Sequence, residues 1–350
     1  MLEPPAIPPD SILSTVYAAY GLPMTQVTFL PLGADLDTAV YHVDAPGAAY
    51  FCKLRRGDFS ELPVTLLKYL SDQGIAEIIA PLVTQAGGLW AEPDSLYPYR
   101  LILYPFVEGK SGFEVELSLR NWADFGAAMR RIHVTPLPQN LGSQIAVEDF
   151  SPYWRDRVRA IFHQIDSQTF TDPIAHKLVD YLNEKRAPIF DLLNHAERLA
   201  EILARRKHDF VLCHADIHPG NLFIDNTGRL YIVDWDYPAL APRERDLMFI
   251  GGGQGYVNVT DAEEEIRFFQ SYGAVEIDPV AMAYYRCERN IVEIGVECPR
   301  VFSPEVGDQN RQLSYDIVTW LFLPGSSVEM AYKSLNRLDD KSALWEVPWL

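Results

Sequence analysis

The stretch HADIHPGN (214–221), running straight into LFIDNTGRLYIVDWD, constrains this chain more than any other feature. Two histidines and an aspartate alternate, Pro-Gly follows, and an apolar run then resumes. That change of texture marks a loop opening into a β-hairpin, with its turn near Asn226-Thr227-Gly228. A hairpin of about 12 residues brings its two ends together. The carboxylate of Asp234 is thereby returned towards Asn221.

The residues alone allow three readings. On a strand, His214, Asp216 and His218 would share a face, and His-Asp-His is a good set of zinc or iron ligands. Alternatively, the polar side chains satisfy backbone groups in a buried turn. The third reading is phosphoryl transfer. The spacing H-x-D-x-x-x-x-N is that of a kinase catalytic loop, where the aspartate takes up the hydroxyl proton and the asparagine binds magnesium. His214, Asp216 and Asn221 fit it, and Asp234 supplies the second carboxylate. A phosphoryl group in flight has a loose transition state, so the protein must align and neutralise. Magnesium takes hard oxygen ligands, which Asn and Asp provide and His does not.

The surrounding pattern is α+β. TQVTFLPL, TAVYHV and APGAAYFCKL read as strands. SELPVTLLKYLSDQG reads as a helix, with Ser60 as N-cap, Pro63 in the first turn and Gly74 at the end. IIAPLVT, LW and RLILYPFV continue the sheet. The polar connector VEGKSGF follows, and from Leu119 onward the chain is mostly helical apart from the hairpin. The prolines of MLEPPAIPPDS read as an extended lead-in. Two lobes are expected: a β-rich one over 1–106 and a helical one over 107–350, with a hinge near 104–110. Gly251-Gly252-Gly253 follows a helical run and reads as a helix end or bend, without the strand context of a phosphate cradle.

Composition narrows the class. Formal net charge is −18, which disfavours nucleic acid or an anionic membrane surface as partner and suits a cationic small molecule. The apolar fraction of 48% supports a sizeable core. No apolar run approaches the roughly 18 residues of a membrane span, and the start lacks the basic and apolar regions of a secretory signal. Cys52, Cys213, Cys287 and Cys298 form no CxxC pair and read as reduced thiols, so a cytoplasmic location is expected.

HADIHPGN followed by IVDWD resembles the aminoglycoside phosphotransferase and choline kinase-like family, relatives of the protein kinases. With DWDYPALAPRERDLMFIGGG and LILYPFVEGKSGF, the chain looks most similar to the spectinomycin phosphotransferase branch, from about Leu30 to Tyr285. The resemblance implies a bilobal protein-kinase-like fold: a small antiparallel-sheet N-lobe with one or more helices and a larger helical C-lobe. It implies ATP and Mg2+ as cofactors, Asp216 as catalytic base, and Asn221 and Asp234 as magnesium ligands. Lys53 in YFCKL resembles the lysine that reaches the α/β-phosphates, and Glu61 is placed to pair with it. Tyr104, Phe106 and Val107 lie in the segment resembling the adenine-binding hinge. Gly33, in LPLGADLDTAV, stands where the kinase loop has three glycines, so backbone cradling of phosphates is in doubt. His214 frames the site, and Asp246 resembles the acidic residue that braces the catalytic loop.

The resulting expectation is ATP-dependent phosphorylation of a hydroxyl on a cationic aminocyclitol or aminoglycoside, spectinomycin-like; antibiotic resistance and a housekeeping role both fit the residues. Asp236, Trp235, Tyr237 and Glu244 are the substrate-side candidates; Asp236 serves equally as a loop buttress or a metal ligand, and Trp235 and Tyr237 equally as packing residues. The alternatives are a small-alcohol kinase of the same fold, acting on choline, methylthioribose, homoserine or another antibiotic, and a catalytically silent binding protein.

Overall fold

The computed structural model describes residues 3–32, 37–57, 59–92, 96–252 and 260–339. The chain packs as two compact units, Met1–Ile145 with Pro219–Pro238, and Ala146–His218 with Ala239–Leu350. No helix among the described residues is long and apolar enough to cross a membrane.

In the first unit, β1 (Gln26–Leu30), β2 (Thr38–Ala45), β3 (Ala48–Arg55) and β4 (Arg100–Pro105) form an antiparallel sheet in that order. One face is apolar. Ala39, Tyr41, Val43, Cys52, Leu54, Leu101 and Leu103 pack with Ile12, Val16 and Tyr20 of α1 (Pro9–Tyr20). Alternation along β3 puts Cys52 and Leu54 in this core and turns Lys53 and Arg55 to the other face. Helix α2 spans Leu62–Asp72 and buries Val64, Leu66, Leu67 and Leu70. Ser60 sits one residue before its N-cap and accepts from the Leu62 amide at 3.3 Å, while Gly74 follows its end with φ +82°.

Two segments differ from the sequence expectation. The prolines end sooner than expected: α1 begins at Pro9, a position where a missing N–H costs nothing. IIAPLVT is not a strand; it bonds beside β4 only through the Leu82 amide to Leu103 O at 2.7 Å. Pro81 lacks the donor that a ladder there would need.

The first unit also extends well past residue 106. Strand β5 (Gly109–Ser111) lies within the expected polar connector and pairs with the hairpin strand β8 (Leu222–Asp225), which pairs with β9 (Leu230–Ile232). Gly109 is required there, since a Cβ would lie 2.2 Å from Ile224 O. Helix α3 (Leu119–Val134), capped by Ser118 and Asn121, also belongs here, and Asn121 Nδ2 donates to Gly228 O at 2.8 Å. These contacts hold the hairpin to the N-terminal sheet's unit, so the packing division does not follow a boundary at residue 106.

The hairpin turn is built as its residues dictate. Asp225 Oδ1 accepts from the amides of Thr227 at 2.8 Å and Arg229 at 2.9 Å, and Gly228 takes φ +84°.

The second unit is mainly helical. Helix α10 (Pro279–Phe302) is its central element, packed by α5 (Tyr153–Ser167), α7 (Arg186–Ala204), α11 (Asp308–Trp320) and α12 (Ser327–Asp339). Between α5 and α7 lies α6 (Pro173–Glu184), and a short α4 (Gln139–Gly142) closes the first unit's helical part. A small sheet has β10 (Ala239–Pro242) between β6 (Ala146–Val147), parallel, and β7 (Phe210–Cys213), antiparallel. Helix α8 (Glu244–Leu247) follows β10, and α9 (Asp261–Tyr272) precedes α10.

Candidate active site

In the first unit, a cluster forms on the polar face of β3. Lys53 Nζ donates to Asp236 Oδ1 at 2.8 Å and Oδ2 at 3.0 Å, and lies 3.9 Å from Asp234 Oδ1. Arg55 Nη1 reaches Asp236 Oδ2 at 2.7 Å. Burial disfavours the Lys53 charge, but Asp236, Asp234 and Tyr104 outweigh it and raise its proton affinity. The Lys53 ammonium is thus fixed in place and charged. Asp236 is the buttress between two cations, at 13% exposure, while the Asp234 side chain is 55% exposed with φ +65°. A non-glycine residue in that backbone region is strained and turns its side chain away from the path of the strand.

Glu61 does not pair with Lys53. It is exposed at the head of α2, and Asp236 takes the place expected for it. Asn221 ends the short 3-10 turn Pro219–Asn221, is buried at 6%, and its carbonyl accepts from Val233 N at 3.0 Å. This bond ties the start of the hairpin to the residue before Asp234.

Along the segment resembling a hinge, Pro105 has no amide hydrogen and Phe106 N donates to Ala49 O at 3.1 Å. The Phe106 ring meets His42 edge-on, with centroids 4.3 Å apart. Tyr104 is in the β3–β4 ladder, its phenol pushed up to about 12 by burial. Val107 is half-buried just beyond. Gly33 lies outside the described residues, as does Gly253; Gly251 and Gly252 form a bend with φ +84° and +99°.

Trp235 and Glu244 are structural. Trp235 is 1% exposed, and its Nε1 donates to Ile232 O at 3.2 Å, so its faces are closed to a ligand. Glu244 is 5% exposed and accepts from the Asp278 amide at 2.9 Å. Burial raises its proton affinity, against the bond from Asp278. Tyr237, by contrast, is 74% exposed.

In the second unit, Asp246 fixes the loop bearing Asp216. Its Oδ2 accepts from His214 N at 2.9 Å and its Oδ1 from Ala215 N at 2.7 Å. Ala215 has φ +71°, a turn held by those two bonds. His214 is buried, and its Nδ1 meets the Asp216 amide at 3.3 Å. His214, Asp216 and His218 do not bring three ligand atoms to one point among the described residues. That removes the structural basis of the His-Asp-His metal reading.

The Asp216 carboxylate has partners that the sequence reading missed. Arg289 Nη1 lies 2.8 Å from Oδ1, and His218 Nε2 lies 3.7 Å from Oδ2. Arg289 Nη2 lies 2.6 Å from Glu293 Oε1, one turn on along α10. Burial raises the proton affinity of Asp216; Arg289, then His218, His214 and Arg245, more than reverse this, so the group stays ionised. Burial also pushes His218 down to about 4, which keeps it neutral near pH 7. The i,i+4 pair in RNIVE was readable as a helix-face ion pair, but nothing local tied it to Asp216. Arg55 was readable from the period of two that puts it on the Lys53 face.

The sequence profile of the phosphotransferase enzyme family matches residues 28–286. The chain belongs to this family. It is an ATP-dependent phosphotransferase whose acceptor is a hydroxyl group. The chain is 32% identical to spectinomycin phosphotransferase APH(9)-Ia in complex with ADP and spectinomycin, with a TM-score of 0.85, over 95% of this chain and 99% of that one. The AMP-bound complex of the same phosphotransferase aligns at 32% identity and TM-score 0.81, over 93% and 98%. Amicoumacin kinase hAmiN, in complex with AMP-PNP, Ca2+ and Ami, is 15% identical, covers 93% of each chain with TM-score 0.59, and shares the fold. No curated protein matches the chain.

Proposed function

We propose that this phosphotransferase moves the γ-phosphoryl group of ATP onto a hydroxyl of a cationic aminocyclitol of the spectinomycin type. The observation that carries the substrate class is the 32% identity, over nearly the whole of both chains, to a spectinomycin phosphotransferase. The net charge of −18 is consistent with a cationic acceptor.

In this reading the acceptor hydroxyl gives its proton to the Asp216 carboxylate. Its oxygen bonds to the γ-phosphorus, and the bond from that phosphorus to the β–γ bridging oxygen breaks, releasing ADP. Asp216 suits the task because it is ionised and its backbone is fixed by Asp246. Lys53 serves as the phosphate-binding cation, since Asp236 holds it charged and in place. Of the hinge amides, that of Phe106 is committed to Ala49, so in this reading Val107 takes the adenine edge.

The donor set fits magnesium: Asn221 offers a carboxamide oxygen and Asp234 a largely exposed carboxylate, both hard ligands. Bound there, the ion would supply positive charge to the phosphate oxygens.

The test is steady-state phosphorylation with a panel of spectinomycin, kanamycin and choline. Spectinomycin is expected to give the highest kcat/KM. Preference for choline would assign the enzyme to the small-alcohol kinases, and absence of turnover with any aminocyclitol would refute the proposal.

A further inference from the structure

The loop and α10 divide the handling of Asp216 between them. Asp246 holds the backbone at His214 and Ala215, but a fixed backbone leaves the carboxylate two free torsions. Those torsions are restrained from α10. Arg289 reaches Asp216 Oδ1 at 2.8 Å with one terminal nitrogen and Glu293 Oε1 at 2.6 Å with the other. The guanidinium also lies over the Phe249 ring, 5.6 Å from its centroid. Two close ion pairs and a ring contact bracket the guanidinium and limit its freedom to swing. Its helix is anchored in turn: Arg157 Nε donates to Gly295 O at 2.7 Å, and Ser314 Oγ donates to Glu297 at 2.5 Å.

We propose that Arg289 is a positioning residue that sets the orientation of the Asp216 carboxylate, with Glu293 as the anchor of its guanidinium. This rests on the reading of Asp216 as the group that takes the hydroxyl proton. The arrangement has a chemical logic. A neighbouring cation makes Asp216 a weaker base, which is costly where proton removal drives the reaction. In a loose phosphoryl transfer the proton leaves late, so aim matters more than basicity. The titratable and charged groups around Asp216 are His214 and His218 on its own loop, Arg245 on α8, and Arg289 with Glu293 on α10. Of these, Arg289 makes the short ion pair with the carboxylate.

The experiment compares Arg289→Ala, Arg289→Lys, Glu293→Gln and, separately, Asp216→Asn in the full chain, with MgATP and spectinomycin. Arg289→Ala is expected to lower kcat by about tenfold to a hundredfold, the range that follows from misaligning a reacting group, while KM for ATP stays within about twofold. Arg289→Lys is expected to recover part of that loss, because it restores a cation without the fork. A kcat for Arg289→Ala within about twofold of the parent would overturn the proposal. So would a crystal structure of Arg289→Ala with the Asp216 carboxylate unmoved, which decides the matter even if spectinomycin is not the acceptor. If Arg289→Ala fails to fold by circular dichroism, Glu293→Gln takes its place, with a several-fold fall in kcat expected and an unchanged kcat contradicting the proposal. Turnover that survives Asp216→Asn would instead sink the reading of Asp216 as the base.

Discussion

At the scale of single residues, charge placement does most of the work. Asp236 pairs with both Lys53 and Arg55, so removing it leaves two half-buried cations facing each other. Asp236→Asn is expected to raise KM for ATP by about tenfold or more, as a displaced phosphate-binding cation would, measured in steady-state kinetics. His218 carries a pH signature. Its proton affinity is lowered by burial, from 6.5 to about 4. Between those values the unfolded chain holds the extra proton, so stability present above pH 6.5 is lost as pH falls towards 4. Urea midpoints measured across that window should fall with pH, and His218→Gln should flatten the slope.

At the scale of elements, the hairpin and its partners are the critical construction. β5 approaches β8 so closely that a Cβ at Gly109 would lie 2.2 Å from Ile224 O and 2.8 Å from Asp225 Cα, both backbone atoms that must move as a strand. Gly109→Ala is expected to cost roughly 1–3 kcal/mol and to speed hydrogen exchange of the β8 amides. Much of this architecture was legible. The alternation in YFCKL, the spacing in α2 and the Asn-Thr-Gly turn gave correct elements because each is a local preference. α1 was hidden by its prolines, although Ile12, Val16 and Tyr20 have helical spacing. Pro81 gave a warning against a strand at IIAPLVT. The β6–β10–β7 sheet joins segments far apart in the chain through two- to four-residue strands, which leave almost no pattern to read. The loop bearing Asp216 was legible for the same reason as the hairpin: its polar residues are adjacent. The helix after β3 offers Glu61 as a local partner for Lys53, whereas the structure supplies Asp236 from the returning chain. Arg289 and Glu293 escaped because they meet Asp216 only through the packing of α10.

At the scale of the whole molecule, the chain packs as two compact units. The first carries Lys53, Asn221 and Asp234, and the second carries Asp216. The second is built around a buried ion pair, Arg155 with Glu288 at 2.8 Å, with Arg155 also donating to Phe150 O at 2.9 Å. Their side chains are 2% and 5% exposed. Glu288→Ala would strand a buried guanidinium and is expected to cost about 3–5 kcal/mol, read as a lower urea midpoint. Replacing both members with apolar residues is expected to cost less, since no charge is then left unpaired.

The most direct test of the central claim is transfer of labelled γ-phosphate from MgATP to spectinomycin by the parent enzyme and by Asp216→Asn. The account predicts a phosphorylated product from the parent, a loss of at least about a hundredfold in kcat for Asp216→Asn, and unchanged ATP binding by calorimetry. Phosphorylation by Asp216→Asn at a rate close to the parent's would contradict it.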